Sequence, residues 1–169
     1  MKNIVKQKIT PFLWFDDKAE EAINLYISVF KNGKIKSITR YNNDAIPGME
    51  GKVLTAVFEL FGQEFLAFDA GPQFKFNEAI SLMVRCTDQD EVDDLWTKLT
   101  KDGEESMCGW LKDKYGLSWQ IVPTALPRML RDPDPAKVKR VMEAMMKMRK
   151  IDTNILQQAY DGKPEVAHS

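Results

Sequence analysis

Cys108-Gly109-Trp110-Leu111-Lys112-Asp113-Lys114-Tyr115-Gly116-Leu117-Ser118-Trp119-Gln120-Ile121-Val122-Pro123 reads as strand, tight turn, strand. Residues 108–112 can run extended. Asp113-Lys114-Tyr115-Gly116 has turn chemistry: an Asp that can accept hydrogen bonds from its own backbone, then a Gly free to take positive φ. Residues 117–122 alternate, with Leu117, Trp119 and Ile121 on one face and Ser118, Gln120 and Val122 on the other. Pro123 has no N–H to give a ladder and ends the strand. Gln120 is therefore predicted to point away from the bulky apolar face, into a cavity or simply into solvent.

Upstream of this hairpin the chain repeats itself. Residues 8–15 read as a strand rich in aromatic and β-branched residues, and Pro11 argues that it is an edge strand or carries a bulge. Asp16-Asp17 are predicted to cap a helix whose stripe is Ala22, Leu25, Tyr26, Val29 and Phe30, and Asn32-Gly33 to end it. A second strand (residues 34–42), a turn-rich loop (43–51) and a hairpin about Phe61-Gly62 (52–61 and 63–69) complete the unit, and residues 70–77 form a linker. The pattern then restarts. Residues 79–86 read as a strand, Asp88 caps a helix with the stripe Val92, Leu95, Trp96 and Leu99, and Asp102-Gly103 stops it. Ala19-Glu20-Glu21-Ala22-Ile23-Asn24-Leu25-Tyr26 aligns without a gap on Gln89-Asp90-Glu91-Val92-Asp93-Asp94-Leu95-Trp96, and Gly33 and Gly103 keep the same offset of 70. This is the signature of an internal duplication. Beyond Pro123, Asp134-Pro135 opens a helix lined by Val138, Val141, Met142, Met145 and Met148 to about Arg149, and residues 152–160 read as one more, closed by Asp161-Gly162.

The last hairpin resembles that of the glyoxalase/bleomycin-resistance/dioxygenase superfamily, the vicinal oxygen chelate fold. That superfamily places a metal-binding glutamate four residues after the turn glycine; here Gly116 is followed at that distance by Gln120. The wording CGWLKDKYGLSWQIVP resembles the PhnB-like branch, often labelled 3-demethylubiquinone-9 3-methyltransferase, over roughly residues 8–160. The resemblance implies an α+β fold: two βαβββ-type modules forming a cupped mixed sheet, with room for one reduced strand in the second, plus C-terminal helices. On this reading residues 1–169 are one domain, with module 1 about 8–70, module 2 about 78–123 and a C-terminal helical extension about 124–162. The resemblance also implies a metal in the cup, held from the first strand of each module and the last strand of one or both. Carried over, those positions fall at Pro11 (or Thr10), Leu66, Ser81 and Gln120. One neutral amide oxygen does not replace the imidazoles and carboxylates of such a centre. No metal and no cofactor are expected.

Composition narrows the function further. Lys and Arg total 24 against 25 Asp and Glu, a net charge of −1, with no basic stripe, which argues against nucleic acid as a partner. No apolar run reaches membrane-spanning length, so no membrane partner is expected. Residues 1–8 lack the apolar core of a secretory signal, and two cysteines make no disulfide framework; the expected compartment is the cytoplasm. The single histidine, His168, stands next to the last residue, so neither a catalytic dyad nor a metal site built on imidazole is expected. A strand-to-helix turn rich in glycine, as S-adenosylmethionine sites of the nucleotide-binding type require, is missing after both first strands.

The cup is expected to be lined by Phe12, Trp14, Ser81, Met83, Cys108, Trp110, Ser118 and Gln120, large apolar walls with a few polar groups, as in small-molecule pockets. Each has a plainer reading. The tryptophans are often core, Gln120 serves equally well to satisfy neighbouring backbone, and Cys108 is more simply a buried inert thiol than a nucleophile. Three classes of function follow: metal-independent binding of a small hydrophobic or aromatic molecule, an enzyme acting on a small metabolite, or a scaffold without ligand. In each, a homodimer is the expected assembly.

Overall fold

A computed structural model describes residues 7–42 and 46–163. Met1–Lys6, residues 43–45 and the tail with His168 lie outside them. The chain divides between Phe76 and Asn77 into two compact units.

The first unit holds β1 (Phe12–Phe15), α1 (Ala19–Phe30), β2 (Gly33–Arg40), β3 (Val53–Leu60) and β4 (Gln63–Asp69). Its sheet runs β1-β4-β3-β2, with β1 parallel to β4 and the remaining pairs antiparallel. Pro11 thus precedes an edge strand, where a missing N–H costs no ladder bond. The β3–β4 turn places Phe61 at φ 48 and Gly62 at φ 79, the left-handed pair that matches the twist of a two-residue hairpin. α1 packs Ala22, Ile23, Tyr26 and Val29 onto the face carrying Leu13, Phe15, Phe58 and Phe65.

The second unit repeats this plan: β5 (Leu82–Cys86), α2 (Gln89–Thr100), β6 (Glu104–Glu105), β7 (Trp110–Lys112) and β8 (Ser118–Pro123). Its sheet order, β5-β8-β7-β6, with β5 parallel to β8, is the order of the first, and β6 is the reduced strand. Val92, Leu95, Trp96 and Leu99 bury against Leu111, Trp119, Ile121 and Cys86. Both four-stranded sheets are mixed and each carries a helix on one face, an α+β architecture of the glyoxalase type.

Three helices follow, α3 (Ala125–Met129), α4 (Pro135–Met145) and α5 (Thr153–Asp161). Their core unites Val122, Leu126, Met129, Val141, Met148, Ile151 and Leu156. They are tied to the sheet unit by polar bonds: Gln89 Nε2 donates to the Ile151 carbonyl at 3.0 Å, and its Oε1 accepts from Thr153 N at 2.8 Å.

Several local expectations are corrected. Asp16 and Asp17 do not cap α1. The cap position is Lys18, with no side-chain cap bond, and the Ala19 N–H donates instead to Asp69 Oδ1 at 2.9 Å. Lys31 (φ 52), not Asn32-Gly33, ends α1, and Gly33 opens β2. Cys108 lies outside β7 at φ 58, because its N–H is taken by the Met148 carbonyl at 2.8 Å. α4 stops at Met145, and Met142 faces outward because only Val141 on that helix is fully covered. α3 was not expected: its five residues carry too little periodicity to be read.

Candidate functional site

The second sheet has one face covered by α2 and one that α2 leaves open. Register fixes the open face. Gln120 on the central strand β8 stands opposite Met83 of β5 and Trp110 of β7, and Ser118 stands opposite Lys112. Side chains two residues apart share a face, so Ser118, Gln120 and Val122 lie along the middle, with Met83 and Arg85 on one side and Trp110 and Lys112 on the other.

Polar chemistry is concentrated at the centre. Gln120 Nε2 donates to Ser81 Oγ at 2.8 Å. Beside it, Ser118 is 1% exposed and, among the described residues, its hydroxyl is the buried side-chain atom that finds no hydrogen-bond partner. A buried hydroxyl left unpaired is costly, and native structures keep few of them. Apolar surface flanks these groups: Met83 is 54% exposed and Trp110 is half-buried. At the Ser118 end, Lys112 Nζ meets Glu78 Oε1 at 2.5 Å. That hydrogen bond raises the Lys112 ammonium above its ordinary range and holds the Glu78 carboxyl below its own. Glu104 of β6 also stands opposite Lys112. At the other end, Val122 packs into the core of the C-terminal helices, and Arg85 opposite it is exposed.

The hairpin that carries Gln120 is braced from its turn. Asp113 is 2% exposed and accepts from Tyr115 N (2.9 Å), Leu117 N (3.1 Å) and Trp119 Nε1 (2.9 Å). Trp119 is thereby pinned to the α2 face, which holds Ser118 and Gln120 on the other.

Phe12 and Trp14 belong to the first unit. Both lie on the face of its sheet away from α1, in an aromatic cluster: Phe12 to Phe68 at 4.7 Å, Trp14 to Phe68 at 4.8 Å and Trp14 to Phe74 at 4.9 Å between ring centroids. Trp14 Nε1 donates to the Gly71 carbonyl at 2.8 Å. The expected residues thus fall into three groups: Ser81, Met83, Trp110, Ser118 and Gln120 share one face, Phe12 and Trp14 share another, and Cys108 stands apart from both. Sequence reading missed Phe68, Phe74, Glu78, Arg85 and Lys112. The alternation of Ser81, Met83 and Arg85 was the available signal for Arg85.

The positions that the fold uses for a metal do not fit one here. Ser81 and Gln120 meet, but they offer a hydroxyl and an amide that bond to each other; Leu66 is apolar and Pro11 has no side-chain donor. Among the described residues no three His, Cys, Asp or Glu side chains gather as ligands. Cys86 is fully buried, and burial pushes its thiol up to about 12. No helix among the described residues is long and apolar enough to cross a membrane.

Comparison with known proteins gives a consistent result. A family model described as 3-demethylubiquinone-9 3-methyltransferase matches residues 7–122. A solved Bacillus cereus structure described as a PhnB protein is 45% identical, with 70% of this chain and 100% of that one covered at a TM-score of 0.66. A Pseudomonas aeruginosa protein of 17% identity aligns over 70% and 98% with a TM-score of 0.62. The fosfomycin resistance protein FosX from Listeria monocytogenes shares the fold at 10% identity, over 76% and 100%, with a TM-score of 0.54. No curated protein matches. The family match ends at Val122, so α3, α4 and α5 lie beyond it.

Proposed function

This chain belongs to the 3-demethylubiquinone-9 3-methyltransferase family, in its PhnB-like branch of the vicinal oxygen chelate superfamily, and on that premise we propose that it binds a small, partly hydrophobic or aromatic molecule without a metal. The binding surface is the open face of the second sheet. The observation that carries this reading is the Gln120–Ser81 pair, a polar centre flanked by exposed Met83 and half-buried Trp110. A ligand carbonyl or hydroxyl would hydrogen-bond to the Gln120 amide, and its body would cover Met83 and Trp110. The family description names methyl transfer. The strand-to-helix turns, residues 16–18 and 87–88, hold no glycine cluster to seat a nucleotide-like cofactor, so binding is the better supported reading.

We also propose that the protein is a cytoplasmic homodimer. Two free cysteines suit a reducing compartment. The outer side of α4 exposes Met142 and Met146 beside Pro133, Pro135 and Val138, around a shallow groove of about 500 Å³.

The test uses 2-naphthamide, an uncharged aromatic amide, followed by calorimetry and tryptophan fluorescence. Saturable binding with one site per chain is expected. Gln120→Ala should weaken it by about 1–2 kcal/mol, the scale of a lost buried hydrogen bond, with less effect on the urea midpoint. A wild type that binds neither 2-naphthamide nor the corresponding acid, 2-naphthoate, or a Gln120→Ala variant that unfolds, overturns the reading.

A further inference from the structure

The charges on the open face are unevenly answered. At the Ser118 end, Lys112 is met by Glu78 at 2.5 Å and stands opposite Glu104. At the Val122 end, Arg85 is exposed and takes part in no ion pair or side-chain hydrogen bond among the described residues. Between these ends lies Gln120, a neutral donor and acceptor bonded to Ser81. Arg85 shares a face with Met83, one residue pair further along β5, a spacing of about 7 Å, which is within the length of an arginine side chain. Its neighbour across the ladder, Val122, is packed into the C-terminal helices, so that end of the face is walled by α3 to α5 rather than open on all sides. An unneutralised guanidinium beside exposed Met83 and a neutral hydrogen-bonding centre is complementary to one ligand type: an apolar body carrying an acid group.

We propose that the ligand of this face is an organic anion, with its acid group held by Arg85, its body lying across Met83 and Trp110, and its remaining polar atom meeting Gln120. This rests on the binding reading above and adds the charge of the ligand to it. Arg85 is the residue that sets specificity; Gln120 orients whatever body is bound. The acidic end at Glu78 and Glu104 fixes the direction, since a carboxylate laid there would be repelled.

The experiment compares 2-naphthoate with 2-naphthamide, which share a ring system and differ in charge. Binding is measured by calorimetry on the full chain at fixed ionic strength. For the wild type, naphthoate should bind about tenfold more tightly, and Arg85→Gln should bring the ratio of the two affinities close to one, with Arg85→Lys between. Equal affinities in the wild type, or a preference that survives Arg85→Gln, would overturn the anion inference and leave the binding face standing. If neither compound binds, the binding face itself fails and this inference falls with it.

Discussion

At the scale of single residues, the buried Asp113 sets the geometry of the β7–β8 turn. Asp113 satisfies two backbone N–H groups and the Trp119 indole from inside the β7–β8 turn. Removing it strands three donors in a site where water does not easily replace it. Asp113→Ala should destabilise the protein by about 3 kcal/mol or more, at roughly 1 kcal/mol or above for each orphaned group, with Asp113→Asn costing less; urea unfolding followed by tryptophan fluorescence measures both. Cys86 makes a different prediction. Its thiol is raised from 9.0 to about 12, first by burial and then by Glu91 and Asp88. The folded chain therefore holds this proton at pH values where the unfolded chain has released it. The stability contribution is present below about pH 9 and is lost as pH rises from there toward 12. In the native protein at pH 8, a thiol reagent should leave Cys86 unmodified, and unfolding should expose it; rapid modification of Cys86 in the folded state would contradict its burial.

At the scale of elements, capping is where neighbours in space override neighbours in sequence. α2 takes its cap from Asp88, whose carboxylate accepts from Glu91 N at 2.9 Å. The equivalent helix α1 takes its bond from Asp69, fifty residues away and 4% exposed, which also accepts from Val53 N at 3.0 Å. Asp69→Ala should cost about 2–4 kcal/mol, whereas Asp16→Ala should fall within about 0.5 kcal/mol of wild type, and thermal melts of the two variants separate the local from the long-range cap. The entry to β6 is equally constrained. A Cβ on Gly103 would stand 2.3 Å from the Lys112 carbonyl oxygen. Gly103→Ala must therefore push β6 away from β7, with an expected loss of about 1–3 kcal/mol and faster amide exchange at Ser106 and Lys112.

At the scale of the molecule, two units of like topology differ in what lies beyond them. The second continues into helices that the family match does not include. These helices bury Val141, Ile151 and Leu156 and leave Met146 63% exposed. The homodimer proposed above would use that side of α4. Light scattering should then report twice the chain mass, and the double change Met142→Glu, Met146→Glu should shift the protein toward one chain without lowering its melting temperature by more than a few degrees. A wild-type mass of one chain would remove the assembly from the proposal.

The duplication is legible along the chain alone, because two helices with the same stripe and the same offset, each between strands, leave few alternatives. α2 buries Val92, Leu95, Trp96 and Leu99, as the periodicity requires, and the Asp113–Gly116 turn carries Gly116 at φ 84. The facing of Gln120 is legible in the same way, since alternation along β8 is a local property of the chain. Everything that depends on partners distant in sequence is settled by the folded chain. The Gln120–Ser81 bond spans 39 residues, and the Asp69 bond to α1 spans 50. Neither spacing leaves a periodic trace. The burial of Ser118 was also illegible, because a serine in a strand reads the same whether its hydroxyl meets water or nothing. Alternation placed Arg85 with Met83, but only the ion pair of Lys112 with Glu78, formed across a strand and a linker, left Arg85 as the cation of this face that is unpaired among the described residues. Local periodicity fixes which face a side chain occupies; long-range pairing fixes which of its polar groups remain unsatisfied, and in this protein the candidate site is made of those.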